Sequence, residues 1–185
     1  MGGPRRVAND PLRKQRILDA AQAVIAEHGV HRTTHRRIAE TAGVPLGSLT
    51  YHFGSLDDIL EQAFLALAAT MSEHYAAALS GAPDQQAACV AVTDLICGDE
   101  YATTRELTLI HEMYSYANHS EPVADACRQW MVRSRTSLSL HFPDRACRAI
   151  DALIEGWPIH RAFEREPLDR DLVLATITAV AERVR

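Results

Sequence analysis

The sequence predicts an all-α protein in two parts, a three-helix head and a longer helical body. Three observations carry this. Apolar residues recur every three or four positions along nearly the whole chain, and no stretch alternates as a strand would. Glycine and proline fall between those stretches, as helix terminators and starters do. Residues 34–53 read as a short helix, a glycine turn and a second short helix, the pattern that presents one helix to a DNA major groove.

Each element has a local cause. Residues 1–9 form a polar arm with Gly2, Gly3 and Pro4, expected to be disordered. Asp10 caps the first helix and Pro11 opens it. Ile17, Leu18, Ala21, Val24 and Ile25 give that helix one apolar face, and Gly29 ends it after His28. Thr33 and Thr34 offer the next cap. The second helix turns Ile38 and Ala39 inward and ends at Gly43. Pro45 starts a third helix of about two turns, with Leu49 and Phe53 as its inward anchors. Gly54 and Ser55 break the chain, and Ser55 with Asp58 makes a capping box. A long helix follows over 55–80, with Leu56, Ile59, Leu60, Phe64, Leu67 and Met71 on one side; Gly81, Ala82 and Pro83 stop it. Further helices are expected at 84–97, 102–118, 121–141, 145–165 and 168–184, with Pro158 kinking the fourth of these.

The formal net charge is −5, which by itself argues against a nucleic-acid partner. Its distribution reverses that. Residues 1–53 hold eight basic residues (Arg5, Arg6, Arg13, Lys14, Arg16, Arg32, Arg36, Arg37) and four acids (Asp10, Asp19, Glu27, Glu40), while the remainder is strongly acidic. A basic head on an acidic body suits a protein that offers one end to phosphates. Lys14 is the one lysine, so phosphate contacts fall to arginine, histidine, hydroxyl side chains and backbone N–H groups.

Cys89, Cys97, Cys127 and Cys147 form no C-x-x-C pair and read as buried thiols, with a redox switch as the minority alternative. No apolar run reaches membrane-spanning length, so a soluble, cytoplasmic protein with no membrane partner is expected. His111-Glu112 does not continue as a zinc-protease motif, and His28, His31 and His35 lack a completing carboxylate or cysteine. Walker, dinucleotide and nucleophile-elbow motifs are missing, and neither enzyme, metal nor cofactor is expected.

One stretch is more specific than a turn motif. A helix ending Ala-Glu-His-Gly is followed by Thr-Thr, then Arg-Ile-Ala-Glu-Thr-Ala-Gly-Val, then Leu-Thr-Tyr-His-Phe before the long helix. Over about 11–65 this resembles the DNA-binding domain of the TetR family of one-component bacterial transcriptional regulators. The resemblance implies a helix-turn-helix DNA-binding domain at 1–53 and a helical ligand-binding and dimerisation domain at 54–185. Candidate DNA contacts are Thr33, Thr34, His35 and Arg36 at the second helix, and Gly47, Ser48, Thr50, Tyr51 and His52 on the third. Arg5 and Arg6 either enter the minor groove or stay solvated. Three positions depart from the family pattern: Thr50 stands where an aromatic is common, Leu56 where a phosphate-binding lysine is common, and Pro45 where a small polar residue is common.

For the body the resemblance implies a homodimer built from the helices near 121–141 and 145–165. Ile150, Leu153, Ile154 and Trp157 form the candidate interface stripe, with Gly156 permitting close approach; packing on their own chain is the alternative. Candidate pocket liners are Met71, Tyr75, Leu107, Ile110, His111, Tyr114, Trp130 and Met131, which suit a mainly hydrophobic effector, with ordinary core as the alternative. The expected function is a ligand-responsive homodimeric repressor of a near-palindromic operator. The rival is a small-molecule-binding protein of the same fold without useful DNA binding.

Overall fold

The computed structural model describes residues 12–184. All regular structure among them is helical: α1 (Arg13–His28), a 3-10 turn (Val30–Arg32), α2 (His35–Ala42), α3 (Leu46–His52), α4 (Leu56–Ser80), α5 (Gln85–Cys97), α6 (Thr104–Ala117), α7 (Glu121–Leu138), α8 (Asp144–Phe163) and α9 (Arg170–Arg183). The expected Asp10 cap, the Pro11 start and the arm with Arg5 and Arg6 lie outside the described residues.

The chain divides into two compact units, one ending at Ala63 and the next beginning at Phe64. The first therefore runs ten residues past the expected boundary at 53. The reason is its core. Ile17, Leu18, Ala20, Ala21 and Val24 of α1 meet Ile38 and Ala39 of α2, Leu49 of α3 and Phe53, and Ile59 and Ala63 of α4 complete the cluster. A head this small needs the extra turns to bury enough apolar surface. Polar groups fasten the same turns: Gln22 Nε2 donates to the Ala63 carbonyl at 2.9 Å, and the Lys14 ammonium lies 5.5 Å from the Phe53 ring centre.

The caps explain the boundaries. Thr34 Oγ1 accepts the Arg37 N–H at 3.3 Å, opening α2. Gly43 closes it in the left-handed region at φ 63°, where a β-carbon would strain the backbone. At α4, Ser55 Oγ accepts the Asp58 N–H at 3.0 Å, but the Asp58 carboxylate takes the N–H of Gly54 at 2.8 Å, one residue earlier than a capping box requires. Hydrogen bonds from Gln62 and Gly54 hold the Asp58 carboxyl below its ordinary range.

The second unit packs α5 against α8 and α9, α6 against α7 and α8, and α7 and α9 against α8. Its core includes Phe64, Leu67, Met71, Tyr75 and Leu79 of α4, with Leu109, Met113, Val123, Trp130, Ile150 and Ile177 from the other helices. Several boundaries depart from expectation by a few residues, and two of them have a visible local cause. α6 begins at Thr104 rather than 102, because Ala102 takes a left-handed φ of 49° and Thr103 with Glu106 forms a reciprocal capping box. α7 ends at Leu138, and Phe142 turns in with its N–H on the Leu138 carbonyl. α8 stays helical through Pro158 to Phe163.

Candidate nucleic-acid interface and cavity

The first unit offers α3 as an outward ridge. Leu49 and Phe53 are buried, fixing its depth and rotation. The opposite side carries Leu46, Gly47, Thr50 and Tyr51, at helical spacing and all exposed, with Tyr51 78% exposed. Ser48 and His52 flank that side and are half-buried. The Tyr51 and His52 rings meet edge-on at 4.9 Å, which orients the tyrosine. Beyond Gly47 no atom of the chain lies within 4 Å of where a β-carbon would stand, so an incoming surface can approach the backbone there.

The start of α2 frames this ridge. Thr34, Arg36 and Arg37 are exposed and His35 is half-buried. Arg36 pairs with Glu40 at 2.9 Å, and Arg37 Nη1 donates to the Arg32 carbonyl at 3.0 Å, which aims it along the turn. Thr33 corrects the expectation. It is 4% exposed, and its hydroxyl donates to the Gly29 carbonyl at 2.9 Å. Thr34 takes the cap, so Thr33 folds back to tie α2 to the end of α1. Leu46 and Arg37, which the sequence did not single out, are exposed beside these residues.

The second unit holds several hollows; the smallest of those described, a cavity of about 50 Å³, is lined by Tyr101, Ala102, Leu107, Ile110, His111, Tyr114, Trp130, Ile154, Glu155, Pro158 and Ile159. Five expected liners are brought together there: Leu107, Ile110, His111, Tyr114 and Trp130. Three are not. Met71 and Tyr75 are fully buried core of α4, and Met131 is exposed, one position past the inward Trp130. The interface stripe also divides. Ile150 and Ile154 point into their own unit, Ile154 onto this cavity, while Leu153 and Trp157 stay half-buried. A 3.6-residue period marks an apolar face without saying which neighbour covers it.

The cavity wall is chemically uneven. Tyr114 Oη donates to Glu155 Oε2 at 2.7 Å, and its ring stacks on Trp130 at 6.2 Å between centres. Burial pushes the Glu155 carboxyl above its ordinary range, the Tyr114 bond opposes this, and the neighbouring Asp151 carboxylate adds to it. Burial and Glu155 push the Tyr114 hydroxyl up in turn, so it stays a donor. The Arg161 guanidinium gathers the carbonyls of Ile96, Gly98, Tyr101 and Ala102, fixing the loop that supplies one wall. Glu155 and Tyr101 escaped the sequence reading, since a lone helical glutamate reads as solvated and Tyr101 sits in an irregular loop.

Among the described residues no three His, Cys, Asp or Glu side chains are grouped to hold a metal ion, and no helix is long and apolar enough to cross a membrane. Cys89, Cys127 and Cys147 are buried free thiols, and Cys97 is half-buried.

Known proteins share this arrangement. Residues 17–63 match the family model for bacterial regulatory proteins of the tetR family. The structure of SCO7518 from Streptomyces coelicolor A3(2), assigned as a transcriptional regulator, is 40% identical, covers 92% of this chain and 99% of that one, and superimposes with a TM-score of 0.83. The transcriptional regulator BetI of Agrobacterium fabrum is 26% identical over 185 residues, 96% of this chain and 88% of that protein. The multidrug-binding protein EbrR, solved with ethidium, is 25% identical over 91% of this chain and 98% of that one, with a TM-score of 0.73. With its helix-turn-helix head, its all-helical second unit and a relative this similar along nearly its whole length, the chain belongs to the TetR family of helix-turn-helix transcriptional regulators.

Proposed function

We propose that the protein is a homodimeric repressor that leaves its operator when a small, largely hydrophobic organic molecule occupies the cavity of its second unit. The observation that carries the DNA half is the exposed face of α3, where Gly47, Thr50 and Tyr51 stand on a helix anchored by buried Leu49 and Phe53. Tyrosine and threonine hydroxyls reach base edges or phosphates, and the threonine methyl suits thymine. Free N–H groups at the start of α2, with Thr34, His35, Arg36 and Arg37 around them, suit the phosphate rail. Two such heads would read half-sites about one turn (34–36 Å) apart in a near-palindrome.

The mostly apolar cavity supports the ligand half, as does the binding of ethidium by EbrR. α4 contributes residues to both units, so a shift of α4 is the natural route for the signal. A hundredfold fall in operator affinity needs about 2.7 kcal/mol of coupling, an ordinary allosteric value. The rival, a ligand-binding relative without useful DNA binding, draws on Arg36 being paired with Glu40 and on Leu56 standing where the family often has lysine. Fluorescence anisotropy with the DNA upstream of its own gene separates the two. The wild type should bind and Tyr51→Ala should lose at least tenfold with the fold intact; no binding by the wild type would favour the rival.

A further inference from the structure

We infer that the cavity of the second unit selects an organic ammonium ion, whose charged head is received by Glu155 between the aromatic walls of Tyr101, Tyr114 and Trp130. The inference rests on the ligand-responsive reading above and specifies its ligand class. Four observations meet here. First, Glu155 lines the cavity and has no ion-pair partner among the described residues; its one hydrogen bond is from Tyr114. Second, the charged group that acts on it is another acid, Asp151, and the neighbouring cation Arg135 acts on Asp151, so Glu155 is left without a counter-charge. A carboxylate shielded from water is costly without a counter-charge. Third, three aromatic rings face the same space, and an indole or phenol face attracts a cation that has shed its water. Fourth, Trp130 on the same wall is 2% exposed and its indole N–H has no hydrogen-bond partner.

Size narrows the class. A water needs about 10–15 Å³ of such space, so about 50 Å³ admits a head of about four or five heavy atoms, the size of a methylated ammonium group. Ile159 on the wall is exposed, which gives the rest of the molecule a way to solvent. A bare metal ion is a poorer match. It would meet a single carboxylate among phenol, indole and aliphatic groups, without the several oxygen ligands that hard cations take.

The test compares benzyltrimethylammonium with its uncharged carbon isostere, neopentylbenzene, by calorimetric titration of the full-length protein. The charged probe should bind at least tenfold more tightly. Glu155→Gln, which keeps the size and can still accept from Tyr114, should erase that preference, and Glu155→Asp should retain much of it. Equal binding of the two probes, no binding of the charged one, or an unchanged preference in a folded Glu155→Gln protein would each overturn the inference. The wild-type comparison stands even if the variant fails to fold. The same probes added to the protein–DNA complex separate this inference from the reading beneath it. Selective binding that leaves DNA affinity unchanged supports the cation site and removes the regulatory coupling. Release of DNA by the uncharged probe, bound as tightly as the charged one, keeps the coupling and removes the cation site.

Discussion

Arg161, near the end of α8, donates through Nη1 to the carbonyl of Gly98 at 2.6 Å, 63 residues earlier in the chain. The same guanidinium reaches the carbonyls of Ile96, Tyr101 and Ala102. The loop after α5 has no regular partners of its own, and Ala102 holds a left-handed φ, so one side chain organises the wall that presents Tyr101.

Arg161→Met should therefore destabilise the protein by about 2–4 kcal/mol in urea unfolding, because charge-assisted bonds are lost and partly buried carbonyls are orphaned. Arg161→Lys should recover less than half, since a point ammonium does not match the planar fork that reaches four acceptors. Full recovery by lysine would show that charge alone matters there.

Asp151 predicts a pH dependence. It is 8% exposed, and burial raises its pKa to about 6, with Arg135 pulling the other way. The neighbouring titratable groups are Glu155, Tyr75, Tyr101 and Cys147. The folded state holds the Asp151 proton more tightly than the unfolded chain, so its contribution to stability is greatest below about pH 4. It is lost as pH rises to about 6 and stays lost above. At neutral pH the deficit is roughly 2–3 kcal/mol. Asp151→Asn should raise the melting temperature at pH 7.5 and give no gain at pH 4; an equal gain at both would mean that ionisation is not the cause.

The proposed dimer face can be checked on one helix. Trp157 and Leu153 are half-buried, and nothing in the chain lies within 4 Å of where a β-carbon on Gly156 would stand, so a second helix has room to approach. Trp157→Glu should raise the dimer dissociation constant at least tenfold, about 1.4 kcal/mol, in light scattering over a concentration series. A dimer that tolerates it would place the interface on another surface.

What the sequence made legible was local. The cap at Thr34, the turn at Gly43 and the inward pair Leu49 and Phe53 depend on neighbours a few residues away, and each stands where expected. The cavity was half legible, because Leu107, Ile110, His111 and Tyr114 share helical spacing on α6 and Trp130 lies on the apolar side of α7. Tyr101, Ala102 and Glu155 were not, since their placement depends on Arg161 and on α8 crossing beside α6, contacts far apart in sequence. Ile150 and Ile154 went to the wrong partner for the same reason: burial was readable, the covering element was not.

Gly43 forms the corner between α2 and α3. Its φ is 63°, yet a β-carbon added there would touch nothing within 4 Å. Size is thus no obstacle at this corner; handedness is. An L-alanine would bend the corner between the two reading helices at a cost of about 1–2 kcal/mol, whereas its mirror image, D-alanine, would sit there at ease. At the corner itself stereochemistry rather than side-chain packing rules, while buried Leu49 and Phe53 hold α3 in place beyond it.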